Sequence, residues 1–248
     1  MSPAPDGPRN RELVLLPSVL TTGNLMCGFA AIVATAHGHF VVAAALVFLG
    51  MAFDILDGQV ARWIGIATDF GVEYDSLADV VTFGVAPAFL WASVALEPLG
   101  RWGWVSGFLF VVGAALRLAR FNVRANGNET HGYFQGLPTP AAAGTLASLV
   151  LFLGPVPAPF LARLVLLFLP PTLAVLMVST LPYRHFKHGR RGVRGLSWWI
   201  AGFAGLLALA VAAPRWVLPV LFGGYTLSGP LVALRRAWSH GANPHEPK

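Results

Sequence analysis

Charge is what this sequence has least of. Asp, Glu, Lys and Arg together make up 11% of its 248 residues against 56% hydrophobic ones, and a water-soluble core of that length needs far more polar cover. Cysteine is nearly missing as well. Cys27 is the single one, so no disulfide can form within the chain, and its place inside an apolar stretch reads as small core filler. No internal repeat, heptad array or low-complexity linker occurs, and the polar segments between apolar stretches are short, so residues 1–248 read as one domain. The leader MSPAPDGPRNRE lacks the short apolar core and small-residue cleavage site of a signal peptide, so the first apolar stretch reads as a retained helix.

What the sequence does have is apolar length. Eight stretches are long enough to cross a hydrocarbon layer of about 30 Å. They lie near 15–36, 40–61, 76–96, 102–122, 137–155, 159–181, 196–213 and 215–234. The expected fold is therefore an all-α polytopic membrane protein of about eight transmembrane helices. Basic residues favour cytoplasmic loops. With both termini on one side, fourteen of the seventeen Lys and Arg fall on that side, and only Arg101, Arg163 and Arg215 fall opposite. Both termini are thus expected inside a cytoplasmic membrane. The net charge of +6 points to anionic lipid headgroups as partners, above all at the basic stretch 183–195. No soluble basic domain is present to carry nucleic acid. Trp198, Trp199, Trp216 and Trp238 lie near span ends, where amphipathic rings suit the interface.

Acidic residues break this pattern. Six of the eleven, Asp54, Asp57, Asp69, Glu73, Asp75 and Asp79, fall within 26 positions. An ionised carboxylate inside a bilayer costs about 2.5–3.5 kcal/mol even on a gentle scale, so a group of them needs cations, arginines or water. In DILDGQVAR, at about 100° per residue, Asp54, Asp57, Gly58, Ala61 and Arg62 occupy an arc of roughly 140° on one helix face. In GVEYDSLAD, Gly71, Asp75 and Asp79 stack on successive turns of the next helix. The short link makes the two helices an antiparallel hairpin, so Asp54, Asp57, Asp75 and Asp79 are expected to converge just below the cytoplasmic interface. Hard divalent cations such as Mg²⁺ prefer carboxylate oxygens and share their shells with phosphates. Two such ions could clamp a pyrophosphate, with Arg62 adding a bidentate fork and Gly58 and Gly71 leaving room for close approach.

The pattern D-x-x-D-G-x-x-A-R-x₈-G-x-x-x-D-x-x-x-D, spanning Asp54 to Asp79, resembles the signature of the CDP-alcohol phosphotransferases without a departure. That resemblance implies a core of six helices, here about 13–182, followed by an extra helical pair at about 196–236. It implies two divalent ions, Mg²⁺ or Mn²⁺, on Asp54, Asp57, Asp75 and Asp79, with Asp79 as general base. It further implies a CDP site lined by Gly58, Ala61 and Arg62, to which Gly71 of the same signature is added, and a homodimer. Asp69 and Glu73 lie outside the signature and read as solvated loop charges.

A narrower resemblance rests on DSLAD at 75–79, FGVAP at 83–87, RLARFN at 117–122, FQGLPTPAAAG at 134–144 and LPSVLT at 16–21. Together these resemble the phosphatidylserine synthase branch, which implies CDP-diacylglycerol as donor and L-serine as acceptor. Serine brings a carboxylate and an ammonium, and Arg117, Arg120 and Asn122 are the nearest candidates in sequence to meet them or the lipid phosphate. The other reading is that the arginines only snorkel to headgroups. The signature leaves open glycerol 3-phosphate, inositol, inositol phosphate or choline as acceptor and an ether-linked lipid as donor. A cation transporter, the alternative from another class, is disfavoured because the carboxylates share one depth and no inverted repeat is visible.

Overall fold

The computed structural model describes residues 8–64, 69–126, 134–154, 159–183 and 213–241. Helix α1 (Pro8–Ala36) and α2 (Phe40–Ile64) form a tight antiparallel pair. Their turn closes on Gly38 at φ +78°, with Gly38 N–H donating to Thr35 O at 2.9 Å and His39 N–H to Ala34 O at 2.8 Å. A residue beyond the helix end in left-handed conformation, with these two crossed bonds, caps the last carbonyls of α1.

The third span is one continuous helical rod of changing pitch. It opens as α3 (Asp69–Asp79), widens to a π-helical stretch at Val80–Val85, returns as α4 (Ala86–Trp91) and widens again at Ala92–Leu96. Ala86 N–H donates to Val81 O, five residues back, immediately before Pro87, which has no N–H to donate. This span is longer than its apolar run predicts, Phe70–Leu99 against 76–96, because the acidic turns 69–75 are helical too. The fourth span, α5 (Arg101–Asn126), follows.

The fifth expected span is shorter than a full crossing. Helix α6 (Thr139–Leu153) has fifteen residues, about 22 Å at 1.5 Å per residue. Pro138 and Pro140 set its start, and Gly154 at φ +60° ends it. The sixth expected span is split at Phe168 into α7 (Phe160–Leu167) and α8 (Leu169–Val178) by Pro170 and Pro171. A last long helix, α9 (Pro214–Gly241), packs along α6. Its approach depends on Gly144, where any Cβ would collide with the Phe222 ring. A two-residue antiparallel pair, β1 (Phe134–Gln135) with β2 (Pro182–Tyr183), ties the entry of α6 to the exit of α8.

Six of the described helices are long and apolar enough to cross a membrane, so the chain is an all-α multi-pass membrane protein. The seventh expected span, 196–213, lies outside the described residues but for Ala213, as do Trp198 and Trp199 from the sequence reading. The surface is as apolar as the core: Phe29, Val41, Phe108, Phe160 and Val220 are all exposed, as lipid-facing residues are.

Candidate active site

Two helices supply the carboxylates and a third braces them. Asp54 projects from α2 and Asp75 and Asp79 from α3, with one carboxylate oxygen of each lying within 4.8 Å of the others. Asp79 is 7% exposed, and its Oδ1 accepts a hydrogen bond from Asn24 Nδ2 of α1 at 2.9 Å. Asn24 is fully buried. Its own carbonyl accepts from Thr82 Oγ1 at 2.9 Å, one turn beyond Asp79. Thr82 is packed so closely that a Cβ at Gly28 or Gly50 would run into it, so α1 and α2 both grip the third span at this level.

Asp57, expected to converge with these three, is not among the gathered carboxylates. Like Asp79 it is buried and tied to α1, its Oδ2 accepting a hydrogen bond from Thr21. Three residues advance a helix by about 300°, so Asp57 stands some 60° around α2 from Asp54, turned toward α1. Its charge still acts on Asp75, as does that of Asp54. Thr22, next to Thr21, pairs with Tyr74 at 3.0 Å.

The three gathered carboxylates fit a cation. Asp75 Oδ1 is buried and has no hydrogen-bond partner among the described residues, and buried oxygens of one charge need a compensating ion. The donor set is all carboxylate, the preference of hard divalent ions. Asp54, Asp75 and Asp79 can therefore hold a metal.

These carboxylates open into a cavity of about 850 Å³, a size that suits a small-molecule ligand. Its lining also includes Arg117 and Asn122 of α5. Arg117 is 9% exposed and donates from Nη1 to Thr139 Oγ1 at 2.9 Å; its charge acts on Asp79 and on Tyr225. Asn122 Nδ2 donates to Ser76 Oγ at 3.0 Å and to Glu73 Oε2 at 3.3 Å, so Glu73, expected as a loop charge, is a helical residue anchoring the cavity rim. Arg120 does not line the cavity; it is exposed and donates to Val178 O at 2.7 Å. Gly58 and Gly71 are half-buried on α2 and α3. The backbone of α2 runs through Ala61 and Arg62, whose side chains lie outside the described residues, as does that of Asp69.

Sequence reasoning missed Ser76, Tyr183 and the whole contribution of α9, which adds Leu221, Phe222 and Tyr225 to the cavity wall. One signal was present. The chain has four tyrosines against 17 phenylalanines, and Tyr74, Tyr183 and Tyr225 all stand at or beside this site.

The family model for CDP-alcohol phosphatidyltransferase matches residues 14–179, which include every carboxylate of the cluster and Arg117. The chain belongs to that family. As a CDP-alcohol phosphatidyltransferase it meets the expectation drawn from the D-x-x-D-G signature. Among its relatives is a CDP-diacylglycerol–serine O-phosphatidyltransferase of Helicobacter pylori (strain J99), 36% identical over 227 residues, which cover 88% of this chain and 90% of that protein. The protein of the same name from Bacillus subtilis (strain 168) is 34% identical over 184 residues, 74% of this chain and 98% of its own length. An archaetidylserine synthase of Methanothermobacter thermautotrophicus is 37% identical over 174 residues, 69% of this chain and 70% of that protein. Helix α9 lies beyond the residues that the family model matches.

Proposed function

We propose that this protein transfers the phosphatidyl group of CDP-diacylglycerol to the hydroxyl of L-serine, with release of CMP. The observation that carries the reading is the shared cavity, lined both by a carboxylate cluster that can hold metal and by Arg117 with Asn122. The names of the relatives and the flanking motifs favour serine over other acceptors.

In this reading Asp54, Asp57, Asp75 and Asp79 hold two divalent ions, Mg²⁺ or Mn²⁺, although Asp57 stands outside the three that gather. When bound, the ions supply positive charge to the pyrophosphate oxygens. Gly58, Ala61, Arg62 and Gly71 frame the CDP moiety, with the Arg62 guanidinium suited to phosphate. Asp79 takes the proton of the serine hydroxyl. The serine oxygen then bonds to the phosphorus that carries diacylglycerol, and the bond from that phosphorus to the bridging oxygen breaks, so CMP departs with the electron pair. Arg117 meets the serine carboxylate, and Asn122 orients the acceptor from the cavity rim; Arg120, turned to Val178, is left a supporting role at the interface. The charge distribution supports a cytoplasmic active site, anionic lipids around the basic loops and a cytoplasmic-membrane location. Residues 1–248 act as one catalytic domain, and a homodimer follows from the family.

The archaetidylserine relative favours one second reading, an ether-linked CDP-lipid donor. Purified protein with CDP-diacylglycerol, Mn²⁺ or Mg²⁺ and a panel of acceptors tests both. CMP release is expected with serine and is expected to stop on chelation. Release with inositol phosphate or glycerol 3-phosphate but not serine would remove the serine assignment, and turnover confined to CDP-archaeol would move the donor to the ether series.

A further inference from the structure

The wall that α9 adds to the cavity is as firmly placed as the family core. Phe222 occupies the space left by Gly144, and Thr226 Oγ1 pairs with Thr145 Oγ1 at 2.9 Å. Thr226 O accepts from Tyr183 OH at 3.1 Å, and the Tyr183 ring lies where any side chain at Gly229 would sit. Burial pushes the Tyr183 phenol up to about 12, so it stays protonated and remains a donor. Next along the helix face, Tyr225 lies against the Tyr183 ring, centroids 5.8 Å apart and planes tilted by 39°. Its ring is held at the cavity wall on two sides, by Tyr183 and by its own helix.

The two tyrosines differ in what their hydroxyls do. Tyr183 OH is engaged with a backbone carbonyl, whereas no hydrogen bond from Tyr225 OH is found among the described residues. Tyr225 lines the cavity that Arg117 lines. Asp54, Asp75 and Asp79 line the same cavity. An acceptor's carboxylate is drawn to the Arg117 guanidinium, and the Tyr225 phenol belongs to the lining of the same space. An arginine alone attracts any anion, including a phosphate; a neutral O–H donor beside it adds a directed bond that depends on the acceptor's shape.

We propose that Tyr225 is a specificity-determining residue for the acceptor alcohol: its hydroxyl, beside Arg117, donates a hydrogen bond to the acceptor's carboxylate. This inference rests on the serine reading above and extends it, since it makes the C-terminal helix, which the family model does not cover, part of the acceptor site.

Tyr225→Phe removes only the hydroxyl and keeps the ring packing. With CDP-diacylglycerol saturating, it is expected to raise the KM for L-serine about tenfold, the effect of losing one hydrogen bond to a charged group, with kcat changed less than twofold and the KM for CDP-diacylglycerol unchanged. 2-Aminoethanol, which has no carboxylate or carbonyl oxygen to accept the bond, serves as a second acceptor. Wild type and Tyr225→Phe are expected to use it with equal KM, a pattern that a merely structural role for the hydroxyl would not give. An unchanged serine KM in Tyr225→Phe, or an equal loss with 2-aminoethanol, would overturn the assignment of Tyr225 alone. No CMP release by wild type with serine would sink the serine reading first and this one with it.

Discussion

Asn24 is the least conspicuous polar residue at the site and the one whose position says most. It sits fully buried in α1 among apolar neighbours, with its amide nitrogen on Asp79 Oδ1 and its backbone carbonyl on Thr82. A carboxylate that accepts one bond from a fixed amide has its second oxygen aimed, and aiming matters for a base or a metal ligand alike. Asn24→Ala is expected to lower turnover about ten- to a hundredfold and to raise the divalent-ion concentration needed for half-maximal rate, as losses of such supporting contacts do. Titration of CMP release against Mn²⁺ would check it; unchanged rate and metal dependence would show that Asp79 needs no such support. At this scale the sequence was legible where chemistry repeats: the spacing of Asp54, Asp75 and Asp79 was enough to predict their gathering. It could not tell that Asp57 is bonded to Thr21, or that Arg120 turns away to Val178, because those partners lie 36 and 58 positions away and no local period encodes them.

Among the elements, the recurring device is a proline inside or beside a helix whose freed carbonyl is taken by a side chain from another element. Pro170 and Pro171 cannot bond Leu166 O and Leu167 O, and Trp91 Nε1 at 3.4 Å and Ser106 Oγ at 2.6 Å donate to them instead. Pro230 leaves Thr226 O to Tyr183 of β2, and Val178 O, freed where the chain leaves α8 at Ser179, is taken by Arg120. In lipid no water can satisfy such a carbonyl, so the break and its donor must come as a pair. Ser106→Ala removes one donor far from the cavity. It is expected to destabilise the protein by about 1–2 kcal/mol while leaving the KM values of the folded protein unchanged, which thermal unfolding in detergent together with an activity assay would measure. Span positions could be read from apolar runs, since composition alone sets them. The split of the sixth span and the π-helical turns of the third could not, because each depends on which neighbour supplies or accepts the displaced bond.

Among the described residues, many large apolar side chains face outward, and the carboxylate cluster sits at one end of its helices. Three glycine-permitted approaches, Gly28 and Gly50 to Thr82 and Gly144 to Phe222, draw the helices together around the cavity. The charge bias places the α1–α2 turn on the side opposite the carboxylates, and Cys27, the single thiol, is buried. His37 is exposed on that turn. In a Cys27→Ser background, His37→Cys is therefore expected to react with a membrane-impermeant maleimide on intact cells; labelling only after lysis would invert the topology. The all-α architecture was legible because it is a sum over many residues. The part of α9 in the site was not, since Leu221, Phe222 and Tyr225 read only as membrane filler until the packing against α6 is known.

Helix α6 is the one that stops short, and its start, Pro138 and Pro140, is also cavity wall. A cavity whose wall includes a helix start lies where the chain leaves the apolar layer. A hydrophilic alcohol arriving from water and a phosphate whose tails stay in lipid would meet there without either having to cross the bundle.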